Sequence, residues 1–364
     1  MTARPQTAPD NTVTLKVNGH LFTNWTEVSV ERSLATLAGC FTVKLTDIRK
    51  PDVNPIVVSP GQPCALAIGG TTLLTGYVDD VEPSYTGTSH DITIRGRDRT
   101  CDLVDCSATP KEPGSWAGTS VLDIGKQLCQ PFGIKVTATE ADASKVLQGH
   151  SVQMGETVFE CLDRAVRMYG LLAMSDGLGD LVLTRPGTAG ALAEVRLGHN
   201  CLGARGRFSD RETFQKYYVM GQFPGGGDSY TDPTITNGAV GQASDPNVTR
   251  FRPLIVMAES TTCDPSFLPK RAAWEAATRS GRAHRATLTV PGWRDAAGKL
   301  YAPNTMIRVE DDWLRIHETL LVEAVHLIDN DQAGMVTRLD VVRKEAWLPE
   351  PVSTLPPYEK AGSK

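Results

Sequence analysis

The sequence predicts a mainly β protein with an α+β insert, built as two similar antiparallel β-barrels per chain plus a small α/β module. Three observations predict it: a hairpin pattern that occurs twice, a period of two through the first hundred residues, and a change to helical spacing beyond residue 119. The first hairpin begins Thr72-Leu73-Leu74, runs into Asp79 and Asp80, turns through residues 84–89 and returns as Ile92-Thr93-Ile94-Arg95. The second begins Thr319-Leu320-Leu321, reaches Asp329, turns through residues 330–334 and returns as Thr337-Arg338-Leu339-Asp340. A chain of 364 residues exceeds the size at which a single core keeps growing, so several domains are expected.

In the first domain, residues 10–99, apolar residues alternate at Val13, Leu15 and Val17, at Phe41, Val43 and Leu45, at Leu66 and Ile68, and at Ile92 and Ile94. Each set places one face of a strand on a core. Turn chemistry at Asn18-Gly19, through residues 51–63, at Gly69-Gly70 and at Thr86-Gly87 separates the strands. The second domain, residues 100–188, opens a helix behind Ser120-x-x-Asp123 and stops it at Pro131 and Gly133. A second helix starts on the capping box Thr157-x-x-Glu160, buries Val158, Leu162, Ala165 and Val166, and ends at Gly170. Two short strands follow, 171–174 and 180–184, joined by a Gly-rich turn. The third domain, residues 189–348, is the second barrel, with a helix inserted at 264–281 that is capped by Asp264 and carries Pro265 at its first position. Residues 224–247 read as a mobile loop, and 349–364 as a flexible tail.

A net charge of −5 argues against a protein whose main task is to neutralise phosphate. No apolar run is long enough to span a membrane, and the polar start, residues 1–12, carries no signal sequence, so a cytosolic site of synthesis and no membrane insertion are expected. Eight scattered cysteines, at 40, 64, 101, 106, 129, 161, 201 and 263, lack any Cys-x-x-Cys pair and read as buried reduced thiols.

No catalytic, cofactor or metal constellation stands out. Gly149-His150-Ser151-Val152-Gln153 starts like a nucleophile elbow but has Gln where the second glycine belongs. His317 and Glu318 are adjacent, so on a strand they face opposite ways. Asp79, Asp80 and Glu82 read as a strand end or a blunted edge, and Gly225-Gly226-Gly227 lacks the Lys-Ser/Thr of a phosphate loop. Arg95, Arg97 and Arg99 alternate on one strand face, with Arg205 and Arg207 repeating the pattern. Interfacial ion pairing is the expected use, which makes the first three candidate subunit-interface residues.

Nearly the whole chain resembles the baseplate hub family of Mu-like contractile-tailed bacteriophages. The resemblance is carried by Val13-Thr14-Leu15 through Asn24-Trp25-Thr26, by Thr75-Gly76-Tyr77-Val78-Asp79, by Gly96-Arg97-Asp98-Arg99-Thr100, by Val248-Thr249-Arg250-Phe251-Arg252-Pro253, and by Pro291-Gly292-Trp293 with Gly298-Lys299-Leu300-Tyr301-Ala302-Pro303-Asn304. Residues 156–170 are also similar to the late-control D family and to type VI secretion spike proteins. The resemblance implies a homotrimeric ring of pseudo-sixfold symmetry that joins a hexameric tail tube to a trimeric central spike. Its axial channel would let DNA pass without specific binding, and it would contact other baseplate proteins. It implies no enzyme and no cofactor, a place in the virion tail baseplate, and assembly in the bacterial host cytoplasm. Two alternatives stay open, a tail-associated cell-wall hydrolase and the hub of a contractile secretion or bacteriocin particle.

Overall fold

The computed structural model describes residues 10–46, 58–87, 89–109, 114–188, 193–221, 240–258 and 266–351. The sequence readings on 51–57, on Pro224 to Asp228, on Cys263, on the cap Asp264-Pro265 and on most of the tail lie outside these residues.

The first unit holds β1 (Val13–Val17), β2 (His20–Phe22), β3 (Glu27–Ser33), β4 (Cys40–Thr46), β5 (Pro63–Ile68), β6 (Thr71–Tyr85) and β7 (His90–Asp98). All pairings are antiparallel, in the order β3-β4-β7-β6-β5-β1-β2. Asn18 and Gly19 both adopt positive φ, 46° and 86°, as a two-residue hairpin turn of this hand requires. The alternation expected from sequence is seen: Leu15, Val43, Leu66, Ile68 and Ile94 are fully buried while their neighbours are mostly half-buried, although Ile92 is itself only half-buried. Of the two readings of the acidic residues, the strand end is corrected: β6 continues to Tyr85, with arginines on β7 pairing with Asp79 and Glu82 across the ladder, and Asp80 to Tyr85 form an edge that β5 does not cover.

The module that follows contains α1 (Cys101–Asp105), α2 (Val121–Cys129), β8 (Val136–Ala138), α3 (Val158–Arg167), β9 (Leu172–Ser175) and β10 (Leu181–Thr184). Both predicted helix starts are real. The Ser120 hydroxyl accepts from the Asp123 N–H at 3.1 Å, and the Thr157 hydroxyl accepts from the Glu160 N–H at 3.1 Å. Glu160 answers by accepting from the Thr157 N–H at 2.8 Å, which completes the box. The helices pack on the sheet β8-β10-β9 around a separate core that includes Ile124, Leu162, Val166 and Leu183.

The remainder carries β11 (Ala193–Arg196), β12 (Gly203–Phe208), β13 (Lys216–Met220), β14 (Val240–Ser244), β15 (Pro253–Met257), α4 (Phe267–Ala283), β16 (His284–Pro291), β17 (Met306–Asp311), β18 (Ile316–Asp329) and β19 (Val336–Val342). Six of these strands form a second unit in the order β12-β16-β19-β18-β17-β11, antiparallel as expected except that β11 lies parallel to β17. The insert is larger than the expected helix. Strands β14-β13-β15 make a small sheet of their own, and α4 covers it through Leu268 and Ala272 against Val219. Val240 to Ser244, expected in a loop, is one of its strands. Past Val342 the chain is held by Trp274, whose indole N–H donates to the Leu348 carbonyl at 2.7 Å, and by the Arg271–Glu350 ion pair, so Glu350, expected in the tail, is tethered.

The two units are not separate closed barrels among the described residues. Strand β3 pairs with the second half of β18, from Ala324 opposite Ser33 to Asp329 opposite Val28, and this junction fuses both units into one 13-stranded sheet. Core residues of both halves form a single cluster. The expectation of two barrels reads the repeat correctly as two units but misses the strand that joins them.

Candidate assembly surface

Strand β7 carries Arg95 and Arg97 of the arginine stripe, while Arg99 lies just past its end, and the strand packs unusually close to its neighbours. A Cβ on Gly96 would sit 2.4 Å from the Tyr77 carbonyl oxygen and 2.7 Å from the Phe41 ring, and one on Gly76 would sit 1.9 Å from the Arg97 carbonyl oxygen. Only glycine fits at either place. Beside Gly76, β6 bulges at Asp79, so that Val78 lies opposite Gly96 and Asp80 opposite Arg95. The bulge turns Asp79 towards Arg97, which it meets at 2.7 Å.

Arg97 also reaches Asp105 on α1 at 2.8 Å, and these two carboxylates raise its pKa above the ordinary guanidinium value. Arg97 in turn lowers the pKa of Asp105. Arg95 pairs with Glu82, and Arg99 with Asp180 at 3.3 Å. Each arginine of the stripe therefore has a carboxylate in its own chain. Arg97 and Arg99 tie the first unit to the module, while Arg95, with 42% of its side chain exposed, faces solvent.

Two buried polar residues that the sequence offered only as parts of longer motifs make the inter-unit joints. Asp98, with no exposed surface, accepts from the Gly39 N–H at 2.7 Å, the Thr100 N–H at 2.9 Å, the Thr100 hydroxyl and the Ser175 hydroxyl at 2.8 Å, so it binds β4, β7 and the module together. Asn304, equally buried, accepts from the Gly187 N–H at 2.6 Å and donates to the Arg185 carbonyl at 3.0 Å, joining the module to the second unit.

The backbone around Asn304 shows that the repeat is real and fixes its alignment. Asn304 (φ 63°) donates its N–H to Val322 O at 3.0 Å, and the Val322 N–H returns to Thr305 O at 2.9 Å. In the first unit Gly61 (φ 81°) donates to Val78 O at 2.7 Å, and the Val78 N–H returns to Gln62 O at 3.0 Å. The residue after each valine is a bulge, Asp79 in β6 and Glu323 in β18. Val78 thus corresponds to Val322, and the Thr-Leu-Leu match is three residues out of register. Chained through the ladders, the same correspondence relates Glu82 to His326, Arg95 to Asp340, Val43 to Leu288 and Glu31 to Arg207.

The other sequence candidates resolve simply. His150 lies in a two-residue strand, not on a strand-to-helix turn, and its Nε2 is 3.0 Å from the Cys161 carbonyl oxygen. His317 meets Glu310 at 2.8 Å, while Glu318 turns the other way to Arg343 at 3.0 Å. Seven cysteines are free among the described residues, and burial pushes Cys64, Cys101, Cys129 and Cys161 up to about 12. Of the cysteines expected to be buried, Cys106 is exposed and Cys40 and Cys201 are only half-buried. The described residues hold no cluster of three metal-ligating side chains, and none of their helices is long and apolar enough to cross a membrane.

The fold is a fused pair of β units flanking an α+β module, and comparison with known proteins places it among phage tail baseplate proteins. Three family models match it in order: the Mu phage baseplate assembly protein GpP-like N-terminal domain over residues 12–98, the baseplate hub protein gp44-like second domain over 100–185, and the GpP fourth domain over 265–350. The chain is 35% identical over 346 residues to the baseplate hub protein gp44 of Escherichia phage Mu, covering 93% of this chain and 89% of the relative, and it belongs to that family of phage tail baseplate proteins. Among solved structures it is similar to the 43 kDa tail protein of prophage MuSo2 from Shewanella oneidensis, with a TM-score of 0.82 at 35% identity over 92% of this chain and 99% of that one. The tail protein of Neisseria meningitidis MC58 shares the fold, with a TM-score of 0.76 at 20% identity over 94% and 99% of the two chains.

Proposed function

We propose that the protein is the structural hub of a contractile phage tail baseplate, a homotrimeric ring of pseudo-sixfold symmetry around an axial channel. The ring joins the hexameric tail tube above to the trimeric central spike below, contacts other baseplate proteins, and lets DNA pass without reading it. Each β unit takes the place of one of the two barrels expected per chain. The observation that carries this reading is the repeat itself: two units of one strand order, with matching turn and bulge hydrogen bonds, in one chain. Three such chains present six similar units, so one rim can satisfy sixfold neighbours while the ring keeps threefold symmetry. The function is mechanical rather than chemical, and assembly takes place in the host cytoplasm.

Light scattering of the purified protein, with micrographs of the same sample, tests the reading. Ring-shaped particles of three chains are expected. A chain that stays monomeric at its highest soluble concentration refutes it. Arg95, Arg97 and Arg99 enter as proposed contributors to the subunit contact, with Arg95 the most available of the three. Reversal of Arg95 to Glu weakens the trimer on this view, and an unchanged trimer removes that residue from the contact.

A further inference from the structure

The junction inside the chain is a template for a junction between chains. Strand β3, the outer strand of the first unit, lies on the second half of β18. The corresponding outer strand of the second unit is β12, which ends the 13-stranded sheet and is exposed at five of its six residues. The corresponding half of β6, Asp80 to Tyr85, pairs with β7 on one side and, among the described residues, with no strand on the other. Five of its six residues, Asp80 and Glu82 to Tyr85, are exposed, Tyr85 to 81%. An open backbone edge of this kind readily accepts a strand from another chain.

We propose that β12 of one copy adds antiparallel to the outer edge of β6 in the next copy, in the register by which β3 adds to β18. Within the chain His326 lies opposite Glu31, and Ile328 opposite Ser29. Transferred through the repeat, Glu82 lies opposite Arg207 of the next copy, and Ser84 opposite Arg205.

The charges fit that transfer. His326 stands 3.5 Å from Glu31 at the internal junction, and the external junction replaces this pair by Glu82 and Arg207, opposite in sign again but exchanged between the strands. Neither Arg205 nor Arg207 pairs with a carboxylate among the described residues. Glu82 keeps 59% of its side chain exposed although it already pairs with Arg95. Wrong pairings are penalised: a second β6 edge would set Glu82 against acid, and a second β12 would set arginine against arginine. Pro83 supplies no N–H, so the ladder is one donor short of its template, which leaves the charged rung to fix the register. The occupant of both edges is a second copy of this chain, and three such additions close a ring.

The inference rests on the trimeric ring proposed above, and the experiment separates the two. In full-length protein, Ser84→Cys and Arg205→Cys are introduced together, with each single variant as control. Mild oxidation is expected to give covalent dimers and trimers only in the double variant. Arg207→Glu is expected to weaken association at least about tenfold, and Glu82→Arg with Arg207→Glu to recover most of that loss. Trimers that form normally but neither cross-link nor respond to Arg207→Glu overturn the ladder and leave the ring standing. A wild-type chain that never associates overturns both.

Discussion

Replacing Asp98 removes the acceptor that holds the first unit to the module, and the structure sets the size of the loss. Its two oxygens take two backbone N–H groups and two hydroxyls, and no part of the side chain reaches water. In Asp98→Ala the hydroxyls of Thr100 and Ser175 can rotate to other partners, but the N–H groups of Gly39 and Thr100 cannot. A buried donor left unsatisfied costs about 1–3 kcal/mol, so the pair costs about 2–6 kcal/mol. Arg32 adds to this: burial pulls its pKa down, and the Asp98 charge is the foremost influence opposing that pull. A loss of about 3–5 kcal/mol is therefore expected for Asp98→Ala. Asp98→Asn keeps one oxygen and its two bonds but turns an amide towards a backbone N–H, so about 2 kcal/mol is expected. The assay is urea unfolding followed by tryptophan fluorescence, comparing midpoints at constant slope. A shift worth less than about 1 kcal/mol in Asp98→Ala would refute the joint as drawn.

Two further outcomes follow from single side chains. Thr157→Ala removes the hydroxyl half of the α3 capping box and is expected to cost about 1 kcal/mol, measured by the same unfolding assay, with Ala at the exposed Thr26 as a smaller comparison. At the internal junction, hydrogen bonding to Asp340 raises the His326 pKa, which burial opposes and Glu31 assists, and the same bond lowers the pKa of Asp340. The His326 contribution is present in full below its unfolded pKa, near 6.5, and is lost as pH rises through the raised folded value. The Asp340 contribution is present above its unfolded pKa and is lost as pH falls through the lowered one. Stability is thus expected to decline as pH rises from about 6.5 through the raised folded value, and His326→Gln to flatten that decline. An identical pH profile in the variant would contradict the pairing.

Much of the fold was legible because its signals are local. Alternation at Leu15, Val43 and Ile94 and the side chains of Ser120 and Thr157 each act within a few residues, and all appear where the pattern placed them. Non-local pairings were read less well. Asp79, Asp80 and Glu82 looked like a strand end because their neutralising arginines stand on another strand. Strand β12 shows no alternation, since Gly203, Ala204 and Gly206 bring little side chain and its arginines face solvent. The repeat was recognised through Thr-Leu-Leu, yet its alignment is carried by backbone bonds at Gly61 and Asn304 that side-chain likeness does not report. Asp98 and Asn304 stand inside the motifs that carry the resemblance, but their role as joints was not legible because a buried acid or amide is distinguished only by the donors around it. The arginine stripe was found by spacing, but its intrachain partners Asp105 and Asp180 come from elements the spacing does not reach.

An electron cryomicroscopy map of the purified protein, resolved well enough to trace strands, tests the central claim most directly. Three chains arranged as six like β units are expected, with the β3–β18 pairing inside each chain and the β12–β6 pairing between chains alternating around the ring. A different number of chains, or two units of one chain that no rotation about the ring axis brings together, would contradict it.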